Sequence, residues 1–326
     1  MIRVPAAVAG FLSDYDRYLV VGHVEPDGDC VASALVLARF LERRGKSAVL
    51  ADEGPFDRPE VAAFQSLFRA NPPPTAPGRT AAVVVDCSTA DRLGGLGAAV
   101  AGLPVLVIDH HAAGQPFGQV RWVEPSAPAV AYLVQLLLES LGERIPAEDA
   151  ELLLFGLSTD TGFFRHLGEG TSDTFQAVAR LVEAGGSPQR VYRRIYAGWT
   201  LPWVRLLGVA LSRAENRLDG QVLLTWWTLA DFRNTGASFS RGSDEVYRAL
   251  QTVADAEVIV FLRQEAQRRF SVGLRSAGRV DVGSLAQAMG GGGHPQAAGC
   301  TLTGTLSEVR RAVLAALESK LADGQA

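Results

Sequence analysis

Cysteine is scarce: three thiols stand at positions 30, 87 and 300 of a 326-residue chain. An odd, scattered set excludes a disulfide framework and fits a reducing compartment, the cytoplasm. No uninterrupted apolar run is long enough to span a bilayer. Asp14, Asp16 and Arg17 follow a short apolar patch near the N-terminus, so a signal-peptide pattern is absent as well. Cationic excess is also missing, with a net charge of −4. A long duplex lying across the surface needs many phosphate contacts, which this balance argues against; a short oligonucleotide or a mononucleotide in a pocket remains compatible. Neither an internal repeat nor a low-complexity tail is present. What remains is ordinary globular composition, 48% hydrophobic and 20% charged, over a length that accommodates two domains.

The stretch from Tyr18 to Ala34 sets the pattern. Leu19, Val20 and Val21 form an apolar run, Gly22 breaks it, and Pro26, Asp27 and Gly28 make a turn. Small residues then run as a helix over 30–43. Further strands are expected over 46–51, 81–85 and 103–108, with a helix over 61–69. Residues 71–78 read as a loop, because so many prolines supply no ladder donors. All-apolar strands between helices predict a parallel sheet buried on both faces. Helices are expected over 130–141, 147–159, 172–184, 187–196 and 203–214. Composition then shifts to aromatic and β-branched strands over 221–229, 257–263 and 269–274. A helix over 282–289, a strand over 300–302 and a helix over 307–322 close the chain. The fold class is therefore α/β: a parallel-sheet domain (1–186), a helical linker (187–215) and a smaller α/β domain with a mixed sheet (216–326).

Ligands of parallel sheets gather at the carboxyl ends of the strands, where His23, Asp86 and Asp109 fall by this reading. His23, Asp27 and Asp29 share the first loop. One imidazole and two carboxylates suit a divalent cation, although an Asx-type turn with a surface histidine accounts for that loop equally well by itself. Acidic or imidazole groups after three separate strands tip the balance toward a metal centre. Asp160, in a Ser/Thr/Gly segment, reads from its own surroundings as the cap of the next helix. The candidate ligands are His23, Asp27, Asp29, Asp86, His110 and Asp160. Four carboxylates and two imidazoles suit two Mn²⁺-like ions, and Mg²⁺ shares these ligands. Such a pair, about 3.5–4 Å apart, generates a hydroxide and stabilises both oxygens of an in-line phosphoryl displacement. Asp86, alone after the third strand, is the expected bridging ligand. Cations also offset the mutual repulsion of so many carboxylates. Cys30 and Cys87 each follow a candidate ligand and read as small buried apolar groups.

A second constellation is Gly290, Gly291, Gly292 and Gly293 before His294. A glycine run lets backbone approach a ligand and exposes N–H groups to an anion; the alternative is a hinge. Arg275, at a strand end, is either a bidentate phosphate ligand or an ordinary solvated arginine. Trp199, Trp226 and Trp227 read as core packing in preference to base stacking.

Taken together, these residues resemble the DHH phosphoesterase family, and within it the nanoRNase and pAp-phosphatase branch with a DHH-associated C-terminal domain. The resemblance rests on His23 through Asp29 with Ser33; on Val84, Val85 and Asp86; on Asp109, His110 and His111; on Asp160, Thr161 and Gly162; and on Gly290 to His294 with Ala297, Ala298 and Gly299. It implies one metal on His23, Asp27 and Asp86, and another on Asp29, Asp86, His110 and Asp160. It implies that His111 faces the substrate phosphate, which makes His111 and Asp86 the catalytic residues. It implies that Arg275 and the 290–294 segment hold the terminal nucleotide, that substrates are short RNA or DNA oligonucleotides and nucleotides, and that the chain is a homodimer. Pro295 and Gln296 stand where relatives often carry a basic residue. The reading is an Mn²⁺-dependent exonuclease of very short oligonucleotides that also dephosphorylates pAp-like bisphosphates. A cyclic-dinucleotide or pGpG phosphodiesterase and a RecJ-type exonuclease are the alternatives within the family, where an inorganic pyrophosphatase is disfavoured by the glycine-histidine segment, and a non-catalytic nucleotide sensor is the alternative outside it.

Overall fold

Runs of β-branched residues become the inner strands of a parallel sheet. A computed structural model describes residues 2–73, 79–87, 89–112, 114–238 and 243–323; positions 74–78 of the expected proline-rich loop lie outside the described residues. The chain divides into two units, Met1–Gly198 and Trp199–Ala326. The first contains α1 (Ala6–Asp14), β1 (Arg17–Val21), α2 (Gly28–Arg43), β2 (Ser47–Ala51), α3 (Pro59–Ala62), β3 (Thr80–Val85), α4 (Leu96–Val100), β4 (Val105–Asp109), β5 (Val120–Val123), α5 (Val130–Ser140), α6 (Ala147–Asp160), α7 (Ser172–Glu183) and α8 (Pro188–Tyr196). Strand order is β2-β1-β3-β4-β5, and every pairing is parallel.

Side chains alternate across this sheet with the period of two that a pleat imposes. Tyr18, Val20, Val83, Val85, Leu106 and Ile108 join the larger core with residues of α2, α5 and α6. Leu19, Val21, Ala82, Val84, Val105 and Val107 join a second core with Leu93, Leu96 and Val100. Both faces are therefore covered, which is why β3 reads as an unbroken apolar run.

The second unit contains α9 (Leu201–Ser212), β6 (Glu215–Arg217), β7 (Val222–Trp227), α10 (Leu229–Thr235), α11 (Ser243–Leu250), β8 (Val258–Ala266), β9 (Arg269–Ser276), α12 (Val282–Ala288), β10 (Gly292–His294), β11 (Ala297–Thr303) and α13 (Leu306–Asp323). Its sheet runs β10-β11-β9-β8-β7-β6 and is mixed: β7 and β8 pair in parallel, the other neighbours antiparallel. Residues of α12 and α13 cover one face, and residues of α9, α10 and α11 the other. Trp227 is fully buried and donates its indole N–H to the Leu206 carbonyl at 2.8 Å, a core role.

Three expectations need correction. The helix expected over 61–69 shrinks to α3 and a 3₁₀ turn over Gln65–Leu67. Arg69 instead donates its N–H to the Leu50 carbonyl and bridges Ala51 in parallel, so the chain leaves a helical path to extend the β2 edge. Asp160 does not cap a following helix: it is the last residue of α6, and the next helix starts at Ser172. The glycine segment before His294 is not an open loop, since its second half forms β10 against β11. Several short elements, α1, β5, β6, α10 and α11, gave too few residues for a period to register.

Candidate active site

Adjacency of β1, β3 and β4 brings their carboxyl ends together. His23 follows β1, Asp86 follows β3, and Asp109 ends β4. Asp86 takes a left-handed backbone, φ 56°, which non-glycine residues adopt at a cost and aspartate tolerates better than most. The loop after β1 adds two carboxylates with distinct local roles. Asp27 caps α2, accepting from the N–H groups of Asp29 and Cys30, both at 3.1 Å; such a cap contributes about 1 kcal/mol. Asp29 is fully buried and reaches across to α5. It accepts from the N–H groups of Val130 at 2.6 Å and Ala131 at 2.7 Å, and from the Ser33 hydroxyl at 3.3 Å. Those N–H groups begin a helix and have no carbonyl partner within it, so a carboxylate there satisfies them and complements the helix dipole.

Asp86 is the hub. Its Oδ2 lies 3.6 Å from His23 Nε2; its Oδ1 lies 3.7 Å from His110 Nε2 and 3.5 Å from His111 Nδ1. Asp160 Oδ2 lies 3.0 Å from His110 Nε2. The far nitrogens of both rings face carbonyls: His23 Nδ1 is 2.8 Å from Val24 O, and His110 Nδ1 is 3.1 Å from Ala127 O. Carbonyls only accept, so a proton on each Nδ1 satisfies these contacts, although His23 Nδ1 also has the Arg92 Nη2 donor at 3.0 Å. Each Nε2 then faces carboxylate oxygens, an arrangement that needs either a second ring proton or a cation between them. Asp86 Oδ1 is also buried without a hydrogen-bond donor among the described residues, which is costly unless something positive reaches it.

The electrostatics lead to the same conclusion. Burial, then the charges of Asp27 and Asp160, pushes the Asp86 carboxyl well up; burial, then Asp160 and Asp86, does the same to Asp29. Burial opposes charge on His110, but its hydrogen bond and attraction to Asp160 outweigh that and carry the ring up to about 10. The oxygen and imidazole donors fit a hard-to-borderline divalent ion. His23 with Cys30 and Asp86, Asp86 with His110 and His111, and Asp29 with His110 and Asp160 each offer ligand atoms within 4.8 Å of one another. Burial pushes the Cys30 thiol well up, so Cys30 stays protonated and packs as an apolar group.

His111 is oriented rather than buried. Its Nδ1 is 2.7 Å from Asp109 Oδ1, the same oxygen that accepts from the N–H groups of His110 and His111. The bond that His111 donates to Asp109 raises the His111 pKa; burial opposes the Asp109 charge, but the bonds from His111 and His110 hold its carboxyl below the usual range. His111 Nε2 is the ring nitrogen not engaged by Asp109, on a side chain 39% exposed.

In the second unit, a cavity of about 450 Å³ is lined by Arg275, Tyr247, Arg263, Gly290, Gly291 and Gly299 among others. The Arg275 guanidinium stacks over the Tyr247 ring at 4.3 Å and lies 3.9 Å from Asp244. Gly292, Gly293 and His294 are exposed on β10 and do not line this cavity.

Two family models match in chain order: the DHH family N-terminal domain over residues 17–157 and the DHHA1 domain over residues 240–323. Over 307 residues the chain is 33% identical to the bifunctional oligoribonuclease and PAP phosphatase NrnA of Thermus thermophilus, covering 93% of this chain and 89% of that one. The chain belongs to the DHH family. The Bacillus subtilis protein of the same name is 28% identical over 299 residues, covering 89% of this chain and 91% of its own. The DHH fold recurs in an exopolyphosphatase-related protein from Bacteroides fragilis, with a TM-score of 0.82 at 23% identity, over 98% of this chain and 97% of that one.

Within the DHH domain the structure gathers His23, Asp29, Asp86, His110, His111 and Asp160. Asp27 stands beside that group: it lines a cavity of about 640 Å³ together with His23 and His111. Arg58 and Arg92 line the same cavity. Neither was singled out from sequence, because nothing in its local pattern separates it from a solvated arginine. Asp52, buried directly after β2, was also missed.

Proposed function

We propose that the chain is a two-metal phosphoesterase that releases mononucleotides from very short oligonucleotides and dephosphorylates pAp-like 3′,5′-bisphosphates. The observation that supports it best is the facing of two imidazole Nε2 atoms onto buried Asp86 at the carboxyl edge of the DHH sheet. The activities named for the Thermus and Bacillus relatives supply the substrate class. His23, Asp27 and Asp86 would hold one ion; Asp29, Asp86, His110 and Asp160 would hold the other. Mixed imidazole and carboxylate donors favour Mn²⁺. When bound, the ions supply Lewis acidity at the phosphoryl group and lower the pKa of water.

The chain's own groups do the rest. Asp86 serves both ions and aligns the two halves of the site. Asp109 fixes the His111 ring, so that His111 Nε2 meets the phosphate as a proton donor or charge stabiliser. Arg275, the glycine segment and His294 would grip the terminal nucleotide in a substrate-binding domain over 216–326, with a catalytic domain over 1–186 and a helical linker over 187–215. A pocket of this kind lets a chain of net charge −4 process nucleic acid without a cationic track. The reading includes a homodimer and a cytoplasmic location, the latter suiting three free thiols.

A hydrolysis panel with Mn²⁺ tests the reading: dinucleotide, long RNA, long single-stranded DNA, pAp and cyclic di-AMP. Fast turnover of dinucleotide and pAp, slow loss of the long strands, and at least a roughly hundredfold drop in Asp86→Asn are expected. Preferred degradation of long strands or of the cyclic dinucleotide would overturn it.

A further inference from the structure

We propose that Arg58 and Arg92 form the phosphate-receiving wall of the catalytic cavity in the DHH domain, supplying guanidinium donors to non-bridging oxygens of the substrate phosphate. The proposal rests on the phosphoesterase reading. Both arginines line the 640 Å³ cavity that holds His23, Asp27 and His111. That volume lies within the range of pockets that take one small ligand, about 300–1,000 Å³.

Each guanidinium stands beside a candidate ligand, Arg58 in a long ion pair with Asp27 and Arg92 against the His23 ring. Arg92 Nη2 is 3.0 Å from His23 Nδ1. That nitrogen also faces Val24 O at 2.8 Å, and when it gives its proton to that carbonyl it has no lone pair for the guanidinium. In that tautomer the Arg92 N–H donors are available to another acceptor. The position is fixed by backbone: Val24 N–H donates to the Arg92 carbonyl at 2.9 Å, tying the arginine to the loop that carries His23. Arg58 Nη1 stands 3.8 Å from Asp27 Oδ2, too long for a hydrogen bond. The other Asp27 oxygen is committed to capping α2.

The electrostatic need is plain. Asp27 and exposed Glu25 line this space with carboxylates, and a phosphodiester brings more negative charge. Cations at the centre neutralise part of that charge. Two guanidiniums on the His23 and Asp27 side neutralise more, and their planar forks match phosphate oxygens in pairs.

The test uses the full chain loaded with Mn²⁺ and the variants Arg58→Gln, Arg92→Gln and the double variant, with Arg92→Lys as the conservative control. Calorimetric binding of inorganic phosphate is measured beside KM for pAp and Mn²⁺ affinity. Each glutamine variant is expected to weaken phosphate affinity and raise KM about tenfold, the loss of one charge-assisted hydrogen bond. Arg92→Lys recovers part of the loss, and Mn²⁺ affinity holds within about twofold throughout. Unchanged phosphate affinity in the double variant overturns the proposal. So does a fall in Mn²⁺ affinity that matches the loss, which would make Arg92 a positioning residue for His23, and so does a wild type that binds no phosphate. Arginine-dependent phosphate binding without turnover of any phosphoester would retain the wall and sink the enzymatic reading. Turnover indifferent to both arginines would do the reverse.

Discussion

Asp52 carries a cost at the level of a single residue. It follows β2, is 3% exposed, and accepts from the Gly54 N–H at 2.7 Å through Oδ1, while Oδ2 is buried without a donor among the described residues. Burial lifts its carboxyl from 3.8 to about 6, with the Gly54 bond opposing. A raised carboxyl pKa means that the folded state holds a proton the unfolded state has lost. Stability is therefore highest below 3.8, falls as pH rises through the window to about 6, and stays lower above it. At about 1.4 kcal/mol per pH unit the penalty above pH 6 approaches 3 kcal/mol. Asp52→Asn removes the charge and keeps the acceptor for Gly54. Melting curves are expected to show a stabilised variant at pH 8 and a gain that shrinks as pH falls from 6 toward 4. An equal gain at both ends would mean that the charge is not the cause.

At the scale of elements, the glycine run separates into packing and non-packing positions. Gly293 sits in β10 at φ 143°, and a Cβ there would lie 2.5 Å from Ala298 Cα and 2.6 Å from the Ala297 carbonyl oxygen. At Gly292 a Cβ would meet nothing within 4 Å. Gly293→Ala is therefore expected to destabilise by about 1–3 kcal/mol through strain at the hairpin, while Gly292→Ala stays within about 0.5 kcal/mol. Chemical denaturation reads both. Matching stabilities for the two variants would show that the hairpin does not require glycine at 293. Comparable logic holds at the other sheet: Asp29 joins the start of α2 to the start of α5, so the loop that carries candidate ligands also fixes the helix packing.

For the whole molecule, cations are expected to act on one unit. Asp29, Asp86, His110 and Asp160 all belong to Met1–Gly198, and the mutual repulsion of the three carboxylates opposes folding until a cation arrives. A ligand at about a hundred times its dissociation constant adds about 2.7 kcal/mol to the state that binds it. Hydrogen exchange with and without Mn²⁺ is expected to show added protection at Val130 and Ala131 and along the carboxyl edge of the first sheet, with the strands of the second sheet unchanged. Uniform protection, or none, would count against a metal centre built from these residues.

Strand identity along the first half was legible because fully apolar runs bounded by glycine and proline need no partner to be recognised. Leu19 to Val21 and Ala81 to Val85 declared themselves, and with them the strand-end positions of His23, Asp86 and Asp109. Family membership was legible for a related reason: its motifs are short, local and ordered. The lateral order β2-β1-β3-β4-β5, which makes those three strand ends neighbours, was not written in any local period. It follows from packing among segments far apart in the chain. The same holds for Asp29 capping a helix 101 residues away, for Asp160 closing onto His110, and for Arg58 and Arg92 turning into the cavity. Turn chemistry and side-chain periodicity act over a few residues and can be read from sequence; the convergence of buried charges depends on which surfaces exclude water together, and only the tertiary structure decides that.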